Sequence, residues 1–339
     1  MGIFPISFCN LPSSFSKCFR AFRWRDYHLL RRTQVDTSTP LFLRKLFSTE
    51  TGYSPVCIFV RKESKMDAVV IAGGTPEPDD PLYRYTLGKP KALLDICGKP
   101  MIQWVLDALV GANTIDQIVI VGLPETEITC SKRNFPLPNQ GSLLENVRVG
   151  FKKVAEIDPT ARYALLVTSD IPAITPEMVD WVVHAANEAD QDVCYTIVTR
   201  QDLEARYPGS KRPFPFEGTR LKDIDFCGGL INAFRITAIT ENYKLLDRLA
   251  EGRRDLLKKI GIIIHYLGYS TLLSVTFGTI DSDRVVKRIA QRTGLRIRPI
   301  VCPYVEIAMD IDRPNQLEML RKDMEQRYPT KHSRSSNER

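Results

Sequence analysis

The sequence of 339 residues lacks the patterns of several common protein classes. Its eight cysteines form no Cys-x-x-Cys pair and have no histidine at the spacing of a zinc site, which argues against a disulfide framework or a structural metal. This cysteine usage favours a reducing compartment, so we predict a cytoplasmic location. Neither Gly-x-Gly-x-x-Gly nor the P-loop pattern occurs, which disfavours a nicotinamide-dependent oxidoreductase and a Walker-type NTPase.

Long apolar runs are also scarce. Only residues 260–278 form a run that is about long enough to cross a bilayer. His265 and two glycines, Gly261 and Gly268, interrupt this run. The sequence therefore predicts a buried or membrane-surface helical hairpin there.

An excess of one charge sign is confined to one end of the chain. The sequence has 47 Lys and Arg against 40 Asp and Glu, and residues 1–65 alone carry 11 of the basic and 4 of the acidic residues. The remainder is neutral, so nucleic acid is not an expected partner. Residues 1–65 resemble an organelle transit peptide. We prefer the interpretation that they are translated sequence upstream of a start at Met66, and we expect them to be disordered.

From Met66 onward, short β-branched runs alternate with helical periodicity, which is typical of α/β proteins. The predicted strands are 68–72, 117–121, 163–168 and 192–198. The predicted helices are 101–109 and 176–189, and Thr175 and Pro176 open the second of them. Strands separated by helices pair in parallel, and ligands bind beyond their carboxyl ends. The loops at 73–90 and 169–172 should therefore face one crevice.

The second half of the chain departs from this alternation. Residues 199–235 contain prolines and a basic-aromatic stretch, which predict a substrate-side loop or an extra hairpin. Residues 236–299 are predicted to be a helical insertion, and a last strand at 305–311 is expected to precede a helix at 314–327. We thus predict one domain over 66–328 and a disordered tail over 329–339.

The first candidate site is the turn after the first strand. Gly73 and Gly74 allow backbone N–H groups to approach phosphate oxygens, and Lys89, Lys91 and Lys99 add positive charge nearby. A Gly-Gly turn after a strand also occurs as an ordinary structural turn. This segment alone leaves both interpretations open.

Acidic residues follow two further runs of apolar sequence. Asp170 comes directly after the strand at 163–168, where a carboxylate is costly unless it meets a cation or donors, although a simple turn is the structural alternative. Alternation along 305–311 places Asp310 and Asp312 on one side of a strand. One of them can cap the following helix, and the other is free for a second metal contact. A hard cation such as Mg²⁺ takes few protein carboxylates and completes its shell with phosphate oxygens and water.

Together, three motifs resemble those of the MobA-like NTP transferase family of nucleotidyltransferases. The motifs are AGG with PKALL and GKP over 72–100, LLVTSDIP at 165–172 and DIDRP at 310–314. The resemblance implies an α/β, Rossmann-like three-layer sandwich with a mostly parallel central sheet, which is the GT-A-type nucleotidyltransferase fold, plus the helical insertion. It also implies a Mg²⁺-dependent enzyme that transfers an NMP from an NTP to a phosphorylated small-molecule acceptor and releases pyrophosphate.

The same resemblance implies roles for individual residues. Asp170 and Asp312 match the metal ligands and Lys91 matches the phosphate-contacting lysine, so Lys91 and Asp170 are the catalytic candidates. The residues expected to bind nucleotide are Ala72, Gly73, Gly74, Lys89, Lys91, Asn139, Gln140, Gly141 and Asn146. The last four lie in a stretch similar to the family's base-reading loop, which would otherwise be read as a turn followed by an amphipathic helix.

Two features depart from the family pattern. The glycine turn lacks the usual arginine, so its phosphate contacts are expected to be redistributed to Arg84 and Lys89. The helical insertion is compatible with a dimer surface, an acceptor pocket or a face that lies on a membrane. The alternative function is a catalytically silent nucleotide-binding sensor or scaffold that binds a partner or a membrane through the insertion. The presence of Asp170, Asp312 and Lys91 together disfavours that alternative.

Overall fold

The computed structural model describes residues 65–210, 212, 226–242, 287, 290–291 and 293–329. These residues belong to a compact unit that extends from Glu63 to Arg339. The expected leader and tail, the apolar run at 260–278 and most of the helical insertion lie outside the described residues. Within the described part, none of the helices has the length and apolarity needed to span a bilayer.

A sheet of eight strands forms the middle layer of the fold. The described residues contain ten strands, eight of which belong to this sheet: β1 (Met66–Ile71), β2 (Asp95–Ile96), β3 (Lys99–Pro100), β4 (Ile115–Val121), β5 (Asn134–Leu137), β6 (Tyr163–Thr168), β7 (Val193–Thr199), β8 (Phe226–Gly228), β9 (Ile231–Arg235) and β10 (Ile297–Val301). The sheet order is β10-β7-β9-β6-β1-β4-β5 with β8 beside β7, and β2 and β3 form a separate hairpin. β1 is parallel to β4 and β6, whereas β9 runs antiparallel between β6 and β7.

Helices cover both faces of this sheet. They are α1 (Tyr83–Thr86), α2 (Met101–Gly111), α3 (Leu143–Ile157), α4 (Pro176–Ala189), α5 (Arg200–Arg206), α6 (Ile236–Thr240) and α7 (Pro314–Arg327). α3 and α6 pack on one face, and α2, α4 and α7 pack on the other. The predicted α/β three-layer sandwich with a mostly parallel sheet is confirmed.

Strand β1 lies at the centre and all six of its residues are buried. Val69 and Ile71 join the core under α3, and Ala68 and Val70 join the core on the opposite face. Side chains alternate along a strand, so a strand with helices on both sides needs a continuous apolar run. The apolar run ends with β1 at Ile71, so the Gly73–Gly74 turn lies just beyond the carboxyl end of this central strand.

The predicted helices and most of the predicted strands agree with the structure within two residues, and Thr175 is the N-cap of α4. The strand expected at 305–311 is wrong. Val305–Ala308 forms a 3-10 turn, and every residue of 305–311 is buried, so the alternation of residue types does not mark the two faces of a strand. The expected acidic cap of α7 is also wrong, because its N-cap is Arg313 and makes no side-chain capping bond.

Candidate nucleotide and metal site

Backbone hydrogen bonds bring three distant segments to the carboxyl end of β6. The Lys91 N–H donates to the Gly74 carbonyl oxygen at 2.8 Å, which ties the lysine segment to the glycine turn. The Ile311 N–H donates to the Asp170 carbonyl oxygen at 3.1 Å. Ligands of open α/β sheets bind at this edge. The loops after β1 and β6 therefore share one crevice, as the parallel pairing requires.

The Lys91 ammonium lies between two carboxylates in this crevice. Its Nζ is 2.7 Å from Asp170 Oδ2 and 2.8 Å from Asp312 Oδ1. The Lys91 and Asp170 side chains are 19% and 16% exposed, and the Asp312 side chain is 53% exposed. The structure thus brings together the three residues that carry the sequence-based prediction, and their binding roles stay predictions.

A third carboxylate, that of Asp310, joins this cluster. Asp170, Asp310 and Asp312 each offer an oxygen atom within 4.8 Å of those of the other two. Asp310 is buried, and its Oδ2 accepts a hydrogen bond from Arg212 Nη1 at 2.5 Å. Three carboxylates outnumber the two cations, Lys91 and Arg212. When all three carboxylates are ionised, this imbalance favours the binding of a further cation, because an uncompensated buried charge is costly.

The same neighbours determine the protonation of the cluster. Burial raises the pKa of Asp310 above its usual range, and Asp170 and Asp312 raise it further while Arg212 opposes the shift. Burial acts to raise the pKa of Asp312 as well, but the adjacent Lys91 ammonium lowers it below its usual range. Burial acts against the charge on Lys91, yet Asp170 and Asp312 together raise its pKa. Lys91 is therefore held as a cation beside an ionised Asp312.

Two buried oxygen atoms give a direct test of whether a divalent cation fits. Asp170 Oδ1 and Asp310 Oδ1 have no hydrogen-bond partner among the described residues. A buried acceptor without a partner costs about 1–3 kcal/mol, and a cation would remove that cost. Two ligands of one Mg²⁺ lie at most about 4.2 Å apart. The oxygen atoms of Asp170, Asp310 and Asp312 lie within 4.8 Å of one another, which is close to that distance. The set of carboxylate oxygens therefore fits Mg²⁺ or Mn²⁺.

Gly73 is enclosed on two sides, whereas Gly74 is open. A Cβ on Gly73 would lie 2.7 Å from Asn139 Oδ1 and 2.8 Å from Asn146 Nδ2. On the other side, Gly122 has a φ of 116°, and a Cβ on it would lie 2.2 Å from the Gly73 nitrogen. A Cβ on Gly74 would meet nothing within 4 Å. Packing thus requires glycine at 73, and the open side of Gly74 leaves its backbone accessible to a ligand.

The other predicted nucleotide-binding residues differ in exposure. Ala72 and Asn146 are buried, and the Ala72 N–H donates to the Val121 carbonyl oxygen at 2.8 Å. The exposed members of the set are Gly74, Lys89, Asn139, Gln140 and Gly141. Arg84, expected to take over a phosphate contact, donates to the hydroxyl of Tyr85 at 2.7 Å.

Sequence reasoning does not single out Arg212, Gln316 or Gly122. Gln316 is buried, and its Oε1 accepts a hydrogen bond from the Asp312 N–H at 2.8 Å, which fixes the backbone of that acid. Gln at the third position of a helix commonly bonds a preceding N–H, so the spacing after Pro314 contained this signal. Arg212 has no such signal, because it is one of several basic residues in a proline-rich stretch.

Comparisons with known proteins give the context of this site. The family model of the MobA-like NTP transferase domain matches residues 68–292 of this sequence, a range that ends before Asp310 and Asp312. The solved structure of a hypothetical transferase from Thermus thermophilus is 30% identical, with a TM-score of 0.63, and covers 75% of this chain and 99% of that one. The family resemblance read from the three motifs is confirmed.

Curated relatives match over shorter ranges. A probable molybdenum cofactor guanylyltransferase of Thermococcus kodakarensis is 27% identical over 196 residues, which are 56% of this chain and 87% of that protein. The bifunctional protein GlmU of Sorangium cellulosum is 27% identical over 135 residues. That match covers 37% of this chain and spans only 27% of the length of GlmU.

Proposed function

The chain belongs to the MobA-like NTP transferase family, and on this premise we propose that it transfers an NMP from an NTP to a phosphorylated small-molecule acceptor and releases pyrophosphate. The observation that carries the proposal is the cluster of Lys91, Asp170 and Asp312 beside the Gly73–Gly74 turn. A polyphosphate bound at this edge of the sheet would meet a lysine, an open glycine backbone and the carboxylates of a cation site. These are the groups that phosphoryl transfer requires.

Each residue has a role under this proposal. Asp170 and Asp312 hold the cation, proposed to be Mg²⁺, and Lys91 donates to an oxygen of the α- or β-phosphate. The cation supplies neutralisation of the charge on the phosphoryl oxygens. The acceptor oxygen forms the new bond to the α-phosphorus, and the bond to the β-phosphate oxygen breaks, so pyrophosphate carries away the electron pair. The protein needs no nucleophile of its own.

The nucleobase and the location of the protein also belong to the proposal. The name of the Thermococcus kodakarensis relative, a probable molybdenum cofactor guanylyltransferase, makes GTP the first NTP to test. The free cysteines in the described part of the chain are consistent with a reducing, cytoplasmic location; they are Cys97, Cys130, Cys194, Cys227 and Cys302.

Pyrophosphate release by the full-length protein tests this function. The assay combines each of the four NTPs with a panel of phosphorylated acceptors in the presence of Mg²⁺ or EDTA. We expect release with one preferred NTP, dependent on both acceptor and metal. Asp170→Asn should lower kcat/KM at least 100-fold, which is about 3 kcal/mol of transition-state stabilisation.

The matched control is Asp116→Asn. Asp116 is 59% exposed and lies near the start of β4, at the end of that strand remote from Gly122. The Asp116→Asn variant should keep the wild-type rate of pyrophosphate release. Metal-dependent binding of NTP without pyrophosphate release from any acceptor would contradict the transferase and support the sensor or scaffold.

A further inference from the structure

Asn146 is a buried polar residue in the first turn of α3, with 3% of its surface exposed. Both atoms of its side-chain amide are used within the chain. Its Nδ2 donates to Asn139 Oδ1 at 3.0 Å, and its Oδ1 accepts a hydrogen bond from the Gln140 N–H at 2.7 Å. Buried amides are normally satisfied in this way. Asn146 therefore faces the preceding loop rather than solvent.

Asn139 is exposed, yet its amide is also engaged within the chain. Its Oδ1 accepts a second hydrogen bond, from the Gly141 N–H at 3.1 Å. Its Nδ2 donates to the Gly73 carbonyl oxygen at 2.8 Å. The two asparagines thus form a continuous chain of hydrogen bonds from helix α3, through loop 139–141, to the glycine turn.

Close packing makes this connection rigid. The Gly73 backbone lies between Gly122 on one side and the amides of Asn139 and Asn146 on the other, with no room for a Cβ on either glycine. Close-packed groups transmit small displacements because they have no free volume to absorb them. The two amides therefore fix the position of loop 139–141 relative to the Gly73–Gly74 turn.

We propose that Asn139 and Asn146 are positioning residues that set nucleobase specificity, and that neither of them reads the base. They hold loop 139–141 in register with the Gly73 turn, so that a base on the loop and a triphosphate on the turn are aligned in one ligand. The exposed Gln140 and Gly141 are left as the positions of the loop that face the base. This inference rests on the proposed function, because it takes an NTP as the ligand and takes the loop that is similar to the family's base-reading loop as the place of its base.

Asn146→Ser and Asn139→Ser test the inference in the full-length protein. Asn139→Ser removes the hydrogen bond between the loop and the glycine turn, and Asn146→Ser removes the bonds that hold the loop and Asn139 to helix α3. Because Asn139 is exposed, its variant is expected to fold. The measurement is the dissociation constant, in Mg²⁺, of each of the four NTPs and of inorganic triphosphate, which has no base. We expect discrimination between the preferred and the other NTPs to fall at least tenfold, with the affinity for inorganic triphosphate changed less than threefold.

The matched control is Asn134→Ser. The Asn134 side chain on β5 donates to the carbonyl oxygens of Cys130 and Lys132, and neither of these belongs to the glycine turn or to loop 139–141. This variant should keep wild-type discrimination.

Retained discrimination in both asparagine variants, or an equal loss of affinity for all ligands including inorganic triphosphate, would overturn the positioning role while the proposed function stands. A wild-type protein that binds NTPs without discriminating among them would overturn it too. Failure of the wild-type protein to bind any NTP would instead overturn the proposed function, and this inference with it.

Discussion

At the scale of single residues, Lys91 is central to the site because its ammonium contacts the same two carboxylates that are proposed to hold a divalent cation. Two cations that share carboxylate oxygens compete, because each lowers the negative charge available to the other. An NTP would relieve the competition by offering Lys91 a phosphate oxygen instead.

Lys91→Met should therefore raise the affinity for Mn²⁺ in the absence of nucleotide. We expect the dissociation constant, measured by electron paramagnetic resonance, to fall about tenfold, which is about 1.4 kcal/mol. Lys91→Arg keeps the positive charge and is the matched control. Unchanged or weaker binding of Mn²⁺ to the methionine variant would contradict the competition.

Asp67 is a buried acid at the opposite end of β1 from the glycine turn. Burial raises the pKa of this carboxyl from its usual range to about 6. Its Oδ2 and the neighbouring Gln117 Oε1 have no hydrogen-bond partner in the part of the chain that the structure describes. The folded state thus binds this proton more tightly than the unfolded state, so the contribution of Asp67 to stability is present below about pH 4 and is lost as pH rises through 6.

Asp67→Asn should remove this pH dependence. Asparagine keeps the acceptor for the Gln117 N–H and adds a donor beside Gln117 Oε1. We expect the free energy of unfolding at pH 7.5 to rise by about 1–3 kcal/mol, with a smaller gain at pH 4.5. Urea unfolding at both pH values measures the difference. A variant that is less stable than wild type at pH 7.5 would refute the assignment of a raised pKa.

The sequence allowed only some of these residues to be predicted. The meeting of Lys91, Asp170 and Asp312 was predictable because each of them lies in one of the three recognisable motifs. Arg212 reaches Asp310 across 98 residues of sequence, and no local pattern encodes that pairing. The partners of a buried charge are set by tertiary packing, which periodicity does not report.

At the scale of secondary-structure elements, prediction succeeded where proline and turn residues mark the ends. Pro176 and Pro314 open α4 and α7 at the predicted positions. The insertion of antiparallel β9 between β6 and β7 could not be predicted, because strand pairing depends on contacts distant in sequence. The strand predicted at 305–311 was wrong because every residue there is buried, so the alternation of residue types did not reflect one buried and one exposed face.

The contact between α3 and β1 depends on one glycine in the middle of the helix. A Cβ on Gly150 would lie 2.3 Å from Val69 Cγ1, so the helix approaches the strand too closely for alanine. Gly150→Ala gains about 1 kcal/mol of helix propensity, but the 2.3 Å approach to Val69 puts the cost of overpacking in the upper part of its usual range, at about 2–3 kcal/mol. We expect a net loss of about 1–2 kcal/mol in the free energy of unfolding, measured by urea denaturation.

Gly74→Ala is the control for this prediction, because its Cβ meets nothing within 4 Å. It should leave the stability of the ligand-free protein unchanged or slightly higher. Equal stability of the Gly150 variant and wild type would show that the α3–β1 contact has room for a methyl group.

At the scale of the whole molecule, the fold brings segments that are far apart in the described sequence into one site. Lys91, Asp170 and Asp312 come from segments separated by up to 221 residues and meet beside one glycine turn. A ligand that bridges these segments binds only the folded chain, so it raises the melting temperature, and the stabilisation grows with the logarithm of its concentration relative to its dissociation constant.

The most direct test of the central claim is the thermal shift of the full-length protein with the preferred NTP, with and without Mg²⁺. We predict a shift of several degrees that requires nucleotide and metal together and is lost in Asp170→Asn and Asp312→Asn but not in Asp116→Asn. A shift of the same size in EDTA, or one that persists in both variants of the cation site, would contradict the claim that these acids hold a divalent cation against a polyphosphate.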